Sequence, residues 1–386
     1  MQRSTSNVSI AARSVGRCEF AVEHSAIDAP AIDAPAFRRR LLAWYRTQGR
    51  DLPWRHTREP YAILVSEIML QQTQVVAVRP YYIEWLRRFP DFATLAAAPE
   101  SDVLHAWQGL GYYARARNLH AAAKIIAGEK RSVFPMDINQ MRQLPGLGRY
   151  TANAVASFAF DQAVPLVEAN TGRVLARLLN LQLRIDSAAG RDAVWNRATE
   201  LLPRTNARDY NSALMDLGAL ICVPGPPKCS LCPVRPFCRA EEPALLPRKR
   251  PRSALKYITE HHRFSLRKGR VLLEQSHTRW RGMWILPRLN GCGALGDLLH
   301  STEFPFTHHR VTLAVYSGGE FLAPPPQRRW FAFDELSSLP LPSPHRRALD
   351  HLFAASPTNS LQRFPAALPS TTRMPPAASL KTPCAR

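Results

Sequence analysis

Four cysteines crowded into one short loop constrain this chain more than any other feature of its sequence. Cys222, Cys229, Cys232 and Cys238 form a C-x6-C-x2-C-x5-C pattern. Four thiolates at such spacing suit a [4Fe–4S] cluster or a structural zinc ion. Zinc ribbons usually pair two C-x2-C knuckles, and this loop has one, so the spacing favours the iron–sulfur cluster. A single tight group among seven cysteines indicates a metal in a reducing compartment, and we expect a cytoplasmic protein.

The charge of the chain predicts a polyanionic partner. Lys and Arg number 51 against 30 Asp and Glu, a formal net charge of +21. Phosphates attract and orient such a basic surface, so nucleic acid is the expected partner. Basic tails on an ordinary soluble protein would give the same balance. We expect no membrane association, because no apolar run approaches the length of a spanning helix.

The 386 residues are enough for two domains and two tails. Residues 1–35, which carry the repeat AIDAPAIDAP, and residues 356–386, rich in Pro, Ser, Thr and Ala, are predicted to be disordered tails. Residues 36–242 show helical periodicity nearly throughout. Residues 243–257 contain prolines and a basic run, and we interpret them as a linker that lies against DNA.

Residues 258–355 change to strand-like alternation and predict a small α/β unit. The stretch FSLRKGRVLLEQ predicts a hairpin that turns at Lys268 and Gly269. Residues 310–316 and 329–336 are predicted strands, and 345–355 a closing helix.

The stretch LPGLGRYTANAVASFAF (144–160) predicts a helix-hairpin-helix. One helix ends at Leu144, and the next starts near Tyr150 after a tight turn through Gly146 and Gly148. Glycines let a backbone approach a ligand closely, and amides at the start of a helix favour an anion such as a DNA phosphate. Arg149 adds a cation at the same place.

The stretch VSEIMLQQTQV (65–75) places one carboxylate early in a predicted amphipathic helix. Glu67 has apolar neighbours on both sides, which would raise its pKa and let it hold a proton. Gln71 and Gln72 can hydrogen-bond base edges or fill the gap left by an extruded base. The alternative is a solvated helical carboxylate with its amides facing water.

The stretch GLGYYARARNL (109–119) combines glycines, tyrosines and arginines. The rings of Tyr112 and Tyr113 can stack on or wedge between bases, and Arg115 can hold a phosphate. A helix start with tyrosine in the core and arginine at the surface is an equally good interpretation of these residues alone.

The stretch PLVEANTGRV (165–174) raises the question whether Glu168 belongs to an active site. It stands in an apolar stretch beside Asn170 and Arg173. Alone it is compatible with the end of a strand turning into a helix, with a solvated carboxylate.

Together these motifs resemble the adenine DNA glycosylase (MutY) family, within the helix-hairpin-helix glycosylase superfamily. The resemblance runs in the family's order over roughly residues 37–240 and includes LPWR (52–55) and MDLGALIC (215–222). It implies a mainly α glycosylase domain of two subdomains, with the active site in the cleft between them and a [4Fe–4S] loop. It also implies removal of adenine mispaired with 8-oxoguanine or guanine in double-stranded DNA, by a protein we expect to be monomeric and nucleoid-associated.

The resemblance assigns roles to the two carboxylates. Glu67 matches the family's general acid, which must protonate adenine because adenine is a poor leaving group. The second carboxylate, which stabilises positive charge on the sugar, lies in a segment that usually reads L-D-G-N-V. Here that segment is VEANT, so Glu168 stands at the aspartate position, and Asn170 is retained.

The glutamate is a departure from the family. It reaches roughly 1.5 Å further than aspartate, and a misplacement of about 1 Å can cost on the order of a hundredfold in rate. We interpret the site as active but adjusted. The alternative is a lesion-binding protein with weakened or lost turnover.

Tyr150 bears on the type of glycosylase. In bifunctional relatives resembling endonuclease III, the residue after the hairpin is a lysine that forms a Schiff base and cuts the strand. Tyrosine here favours a monofunctional enzyme. A bifunctional pyrimidine-lesion glycosylase remains the other enzymatic alternative. By the same resemblance, Arg55 of LPWR joins the hairpin and the tyrosine loop as a DNA contact.

Residues 258–354 show a weaker resemblance to a Nudix-like domain that recognises 8-oxoguanine. RGMWILP and FTHHRVTLAVY carry it, and Phe306, Thr307 and His308 match the recognition loop. Between Met283 and Glu303 the acids are Asp297 and Glu303 alone, so no pyrophosphatase activity is expected.

Overall fold

A computed structural model describes residues 32–129, 133–251, 253–289, 296–318 and 326–354. The predicted tail 356–386 and most of the tail 1–35 lie outside these residues. Helices make up the first part of the described chain and strands most of the last part, as the change in periodicity predicts.

In this described part, eleven α-helices precede the first strand. They are α1 (Ala34–Gln48), α2 (Pro60–Leu70), α3 (Val75–Arg88), α4 (Phe92–Ala97), α5 (Glu100–Ala106), α6 (Ala114–Glu129), α7 (Ile138–Gln143), α8 (Arg149–Phe160), α9 (Ala169–Leu178), α10 (Ala188–Leu201) and α11 (Ala207–Leu220).

Two apolar cores divide these helices into two groups. The larger core contains Leu64 and Trp85 and joins α2 through α8; it continues into the strands that follow. The second core contains Phe37, Leu175 and Leu217 and joins α1, α9, α10 and α11. Helix α1 thus packs with helices far along the chain, and α8 and α11 contact each other where the two groups meet. The two helical groups therefore form a cleft between them.

Helix α1 begins inside the segment that the sequence assigned to a tail. Asp33 caps it, accepting the backbone N–H of Ala36 at 2.9 Å, and a proline stands in the first turn. Both residue types favour a helix start. Phe37 then lies in the second core. The predicted boundary at residue 35 is therefore wrong, because the second AIDAP repeat supplies the cap.

Helix α2 is not amphipathic. Residues 61–69 are all buried, and the helix ends at Leu70. Glu67 therefore lies in the last turn and not early in the helix, and the Gln-Gln-Thr-Gln run forms the turn that follows. A buried helix has no solvent face for the run to occupy, so the prediction of an amphipathic helix is wrong.

The helix-hairpin-helix prediction is confirmed. Helix α7 is followed by its C-cap residue, Leu144, and α8 starts at Arg149. Gly146 has φ +81°, and a Cβ there would lie 2.8 Å from Cβ of Asn118. Both conditions require glycine. Gly148 is the N-cap of α8 and has no atom of the described residues within 4 Å of a built Cβ.

The last part of the described chain forms two small sheets and a helix. The elements are β1 (Lys256–Phe264), β2 (Leu266–Arg267), β3 (Arg270–Gln275), β4 (Trp284–Ile285), β5 (Leu298–Phe306), β6 (His309–Ser317), β7 (Arg328–Ala332) and α12 (Ser343–Ala354). One sheet has the order β1-β6-β5, with β1 parallel to β6; in the other, β3 pairs with β2, β4 and β7.

The strand predictions are largely confirmed. Lys268 and Gly269 form the turn between β2 and β3, both with positive φ. The predicted strand at 310–316 lies within β6, and the closing helix is α12. The predicted strand 329–336 ends early, because Glu335–Ser338 form a 3₁₀ turn. Throughout the described residues, none of the helices combines the length and the apolar character needed to cross a membrane.

Candidate active site

A cavity of about 480 Å³ lies where the two helical groups meet. The predicted catalytic residues Glu67, Tyr150, Glu168 and Asn170 all line it. Of the predicted DNA contacts, Arg55, Gln71 and Gln72 line it too. The fold therefore brings together four segments that lie far apart in the sequence.

Glu67 is a buried carboxyl at the end of α2, with 4% of its surface exposed. Burial raises its pKa to about 7, opposed by the hydrogen bond from Tyr150, whose hydroxyl donates to Oε2 at 3.0 Å. The charge of Glu168 raises the pKa further, and Arg55 lowers it. Glu67 thus holds a proton part of the time near neutral pH and can give it up.

Tyr150 lies in the first turn of α8, directly after the hairpin. Burial raises the pKa of its hydroxyl well above the usual value, and the nearby carboxylates act in the same direction. The phenol therefore keeps its proton at neutral pH and acts as a hydrogen-bond donor to Glu67.

Glu168 is the N-cap residue of α9. Its Oε1 accepts the backbone N–H of Thr171 at 2.9 Å, and the Thr171 hydroxyl accepts the backbone N–H of Glu168 at 2.9 Å. This reciprocal pair is a capping box. The carboxylate stands at the positive end of the helix, where negative charge is stabilised. It is half-buried at the cavity wall and not solvated freely.

Asn170 is held by two residues that the sequence interpretation had not assigned to the site. Arg173 donates to Oδ1 of Asn170 at 2.9 Å and to the carbonyl of Gly218 at 2.6 Å. A Cβ on Gly218 would lie 2.7 Å from Cβ of Asn170, so α11 and the start of α9 touch through this glycine. The sequence signal for this contact is Gly218 itself, because an isolated glycine in a helical pattern indicates that another segment approaches the helix closely.

Arg55 is engaged with Asp216 of α11. Its Nη1 lies 2.6 Å from Oδ2 of Asp216 and its Nη2 lies 2.8 Å from Oδ1, and the guanidinium of Arg50 reaches the same carboxylate at 2.7 Å. The Asp216 side chain is fully buried. Burial raises its pKa, but the arginines outweigh this and the net pKa is lowered. The charge of Arg55 is thus paired within the cavity wall, and its contact with DNA stays a prediction.

Arg115 and Tyr113 are also structural. Arg115 is 8% exposed, and its guanidinium donates to the carbonyls of Ile68 at 3.0 Å and Met69 at 2.9 Å. It thereby caps the C-terminal end of α2. Tyr113 is 6% exposed and belongs to the larger core. The loop turns both side chains inward, so the structure gives them packing roles, and the DNA contacts predicted for them stay predictions.

Other predicted DNA contacts remain accessible. Tyr112 is 45% exposed at a positive φ, and Gln72 is exposed at φ +57° beside the cavity. Gln71 donates to the Thr151 hydroxyl at 3.2 Å. Arg149 is exposed, with its guanidinium 3.6 Å from the ring centre of Trp195. Their contacts with DNA stay predictions.

The four loop cysteines are half-buried after α11. Burial raises the pKa of Cys232 to about 11, and Cys222, Cys238 and Cys229 are close enough to add to that effect. Arg177 donates to Sγ of Cys222 at 3.2 Å. As placed, no three Cys, His, Asp or Glu side chains of the described residues are grouped closely enough to hold a metal ion. The loop supplies the four sulfur donors that the sequence predicts for the site.

Phe306, Thr307 and His308 lie at the turn between β5 and β6. Thr307 has φ +51°, and it and His308 are exposed. Phe306 is half-buried, with the guanidinium of Arg279 4.2 Å from its ring centre. The turn projects polar side chains outward, and its part in lesion recognition stays a prediction.

Comparison with known proteins places this geometry in a family. Residues 65–197 match the HhH-GPD superfamily base excision DNA repair proteins. The chain is 43% identical to adenine DNA glycosylase of Mus musculus over 53% of its own length and 42% of the relative. For adenine DNA glycosylase of Mycolicibacterium smegmatis the identity is 43%, over 52% of this chain and 67% of the relative. A solved thermostable thymine-DNA glycosylase is 32% identical, with a TM-score of 0.49, over 53% of this chain and 94% of that chain.

The matched fold and the hairpin beside a carboxylate-lined cavity define the class as helix-hairpin-helix base excision repair glycosylases. The chain spans less than half the length of the mammalian relatives it matches. Within that class, the chain belongs to the adenine DNA glycosylase family.

Proposed function

We propose that this chain is a monofunctional adenine DNA glycosylase of base excision repair. Its substrate is adenine mispaired with 8-oxoguanine or guanine in double-stranded DNA. The observation that carries the proposal is the pair of carboxyl groups in one cavity: Glu67, buried with a pKa near 7, and Glu168, capping a helix. Two carboxyls in contrasting environments can take opposite roles, one as acid and one as charge stabiliser.

In the proposed mechanism Glu67 delivers its proton to a ring nitrogen of an extruded adenine. The bond between C1′ and N9 breaks, and its electron pair leaves with the protonated base. Positive charge on the sugar is stabilised by the Glu168 carboxylate. Water then adds to C1′ and loses a proton to solvent. A cavity of about 480 Å³ is ample for one flipped purine.

The nature of residue 150 supports hydrolysis without strand cleavage. Tyr150 occupies the Schiff-base lysine position of bifunctional relatives and instead donates to Glu67. Among the described residues that line the cavity, none is a lysine. A bifunctional enzyme would need such an amine as its nucleophile.

DNA is proposed to bind along the side of the fold that carries the hairpin. The amides that follow Gly146 and Gly148, together with Arg149, grip phosphates. Gln71, Gln72 and Tyr112 occupy or border the space left by the extruded base. The turn formed by Phe306, Thr307 and His308, in the Nudix-like part, reads the oxidised guanine.

The cysteine loop is proposed to hold a [4Fe–4S] cluster through Cys222, Cys229, Cys232 and Cys238. Four soft sulfur donors in a short loop are the supporting observation. When bound, the cluster would order the loop for DNA docking. Protein prepared without air should be brown, absorb broadly at about 400 nm and contain iron. Stoichiometric zinc in that material would contradict the assignment.

We further propose that the protein acts as a monomer on nucleoid DNA in the cytoplasm. A reducing compartment suits the free thiols of the loop. Sedimentation of the protein with and without a mismatched duplex tests whether it acts as a monomer. A complex of two protein chains on one duplex would contradict the proposal.

A single-turnover assay tests the catalytic proposal. Duplex with adenine opposite 8-oxoguanine is incubated with wild type and with Glu168→Asp, and products are resolved with and without hot alkali. Strand breaks that depend on alkali are expected for wild type. Breaks without alkali would indicate the bifunctional enzyme. If wild type binds the duplex tightly without releasing adenine, and Glu168→Asp restores adenine release, the lesion-binding alternative is established. The presence of Glu168 in place of the family's aspartate is the feature that favours this alternative.

A further inference from the structure

The capping box between Glu168 and Thr171 depends on two residues that differ from the usual family segment. The usual family segment L-D-G-N-V has neither a glutamate nor a hydroxyl at these two places, whereas this chain has both. The Thr171 side chain is fully buried and does not line the cavity. It therefore contacts Glu168 from behind the cavity wall.

The two oxygens of the Glu168 carboxylate have different surroundings. Oε1 of Glu168 is held by the Thr171 amide at 2.9 Å. Oε2 makes no hydrogen bond or ion pair with any residue that the structure describes, and Glu168 lines the cavity. The glutamate is thus fixed by one oxygen and can present the other to a substrate.

An extra methylene explains why the hydroxyl is needed. Aspartate is a preferred N-cap residue because its short side chain reaches the amides of the first turn directly. Glutamate has one more rotatable bond, so it loses more freedom when its carboxylate is fixed. The Thr171 hydroxyl holds the Glu168 backbone N–H at 2.9 Å and so fixes the point from which the longer side chain starts.

We propose that Thr171 is a positioning residue matched to Glu168, and that the two together replace the family's aspartate. The proposal rests on the proposed function, since it assigns Glu168 the charge-stabilising role. It predicts coupling: loss of the Thr171 hydroxyl harms the enzyme when residue 168 is glutamate and matters little when it is aspartate.

A double-mutant cycle tests the coupling. Wild type, Thr171→Val, Glu168→Asp and the double variant are compared by single-turnover adenine release at saturating enzyme. When residue 168 is glutamate, Thr171→Val is expected to slow adenine release about ten- to a hundredfold. In the Glu168→Asp background the same change is expected to slow it less than about threefold. Equal losses in the two backgrounds would overturn the proposal.

Further variants separate positioning from folding. Thr171→Ser keeps the hydroxyl and should stay within about threefold of wild type, and it remains informative if Thr171→Val does not fold. Thr199→Val removes an exposed hydroxyl in α10 that bonds the Trp195 carbonyl, and its release rate should equal that of wild type. A slow Thr171→Ser enzyme would mean that the hydroxyl is not the relevant group.

Titration of the Glu67 carboxyl in DNA-free protein, followed by carbon-13 NMR, is independent of turnover. The charge of Glu168 raises the Glu67 pKa. If the Glu168 side chain is no longer held in place in Thr171→Val, the Glu67 pKa should fall by about half a unit. An unchanged titration would overturn the positioning role. If wild type releases no adenine but the titration shifts, the proposed function fails, and what stands is that Thr171 holds the Glu168 carboxylate near Glu67.

Discussion

The hydroxyl of Tyr150 donates to Oε2 of Glu67 across 3.0 Å. This contact joins the first turn of α8, which follows the proposed DNA-gripping hairpin, to the last turn of α2, which carries the proposed acid. Any displacement of the hairpin by DNA would therefore act on Glu67, the group that must hold the proton, through this one hydrogen bond.

Replacing Tyr150 with phenylalanine should move the pH dependence of base release. The hydrogen bond from Tyr150 lowers the Glu67 pKa, so its loss raises that pKa above the wild-type value near 7. The protonated acid then persists to higher pH. In single-turnover profiles from pH 5 to 9, the descending limb should move up by roughly 0.5–1 unit.

Tyr210→Phe is the matched control for that shift. Tyr210 is fully buried in the second core, and its hydroxyl has no hydrogen-bond partner among the described residues. Its profile should coincide with that of wild type. A downward shift for Tyr150→Phe would show that the phenol does not act on Glu67 as the structure indicates.

Glu67→Gln should abolish base release and yet stabilise the protein at alkaline pH. The folded-state pKa of Glu67 is about 7 against an ordinary value of 4.5, so the folded protein binds the extra proton between those values. Stability from this group is complete below about pH 4.5 and is lost as pH rises through 7. The full loss is roughly 3 kcal/mol.

The neutral glutamine lacks that dependence. Urea unfolding at pH 4.5 should give similar free energies for both proteins, and at pH 8 the variant should be more stable by up to about 3 kcal/mol. Equal free energies at pH 8 would mean that Glu67 is not buried as an acid with a raised pKa.

Gly218→Ala should damage the site from within α11. The new Cβ would lie 2.7 Å from Cβ of Asn170 and 2.9 Å from its carbonyl oxygen, which forces the start of α9 away. We expect base release to fall about ten- to a hundredfold, with a lower Tm, although alanine favours helix by about 1 kcal/mol.

Gly128→Ala provides the comparison. Gly128 lies in α6, where a built Cβ meets no described atom within 4 Å. That variant should gain about 0.5–1 kcal/mol of stability and keep its activity. If the two variants behave alike in a thermal melt, the close approach at Gly218 does not constrain the site.

The two hairpin glycines should separate folding from DNA binding. Gly146→Ala introduces a side chain at φ +81° and 2.8 Å from Asn118, so it should cost about 1–3 kcal/mol of stability. Gly148→Ala meets no described atom within 4 Å and should melt like wild type. Its methyl would stand where a phosphate is proposed to approach, weakening duplex binding about tenfold. Normal binding by Gly148→Ala would remove the hairpin from the DNA interface.

Local signals were sufficient wherever structure depends on neighbouring residues. The turn at Gly269 needs a positive φ, and the hairpin at Gly146 needs a positive φ and a close approach to Asn118. A glycine in the sequence indicates either condition. The start of α1 at Asp33 is not evident from composition, because the AIDAP repeat has the composition of a tail although aspartate and proline also favour a helix start.

Partners distant in the chain decide which of the predicted DNA contacts are buried or already paired in the structure. Tyr113 and Arg115 are predicted DNA contacts by residue type, since tyrosine and arginine often contact nucleic acid, and Arg55 is one by the family resemblance. Whether an arginine is free depends on what packs against it. The carbonyls at the end of α2 occupy Arg115, and Asp216 occupies Arg55.

The order of motifs and the residue types at positions 67, 150 and 168 lie in the sequence, and they predict the family and the chemistry that those groups can perform. The protonation of Glu67 and the capping of Glu168 by Thr171 come from folding. Both depend on burial and on the distances between side chains, and α2, α8, α9 and α11 set these only when they pack around one cavity.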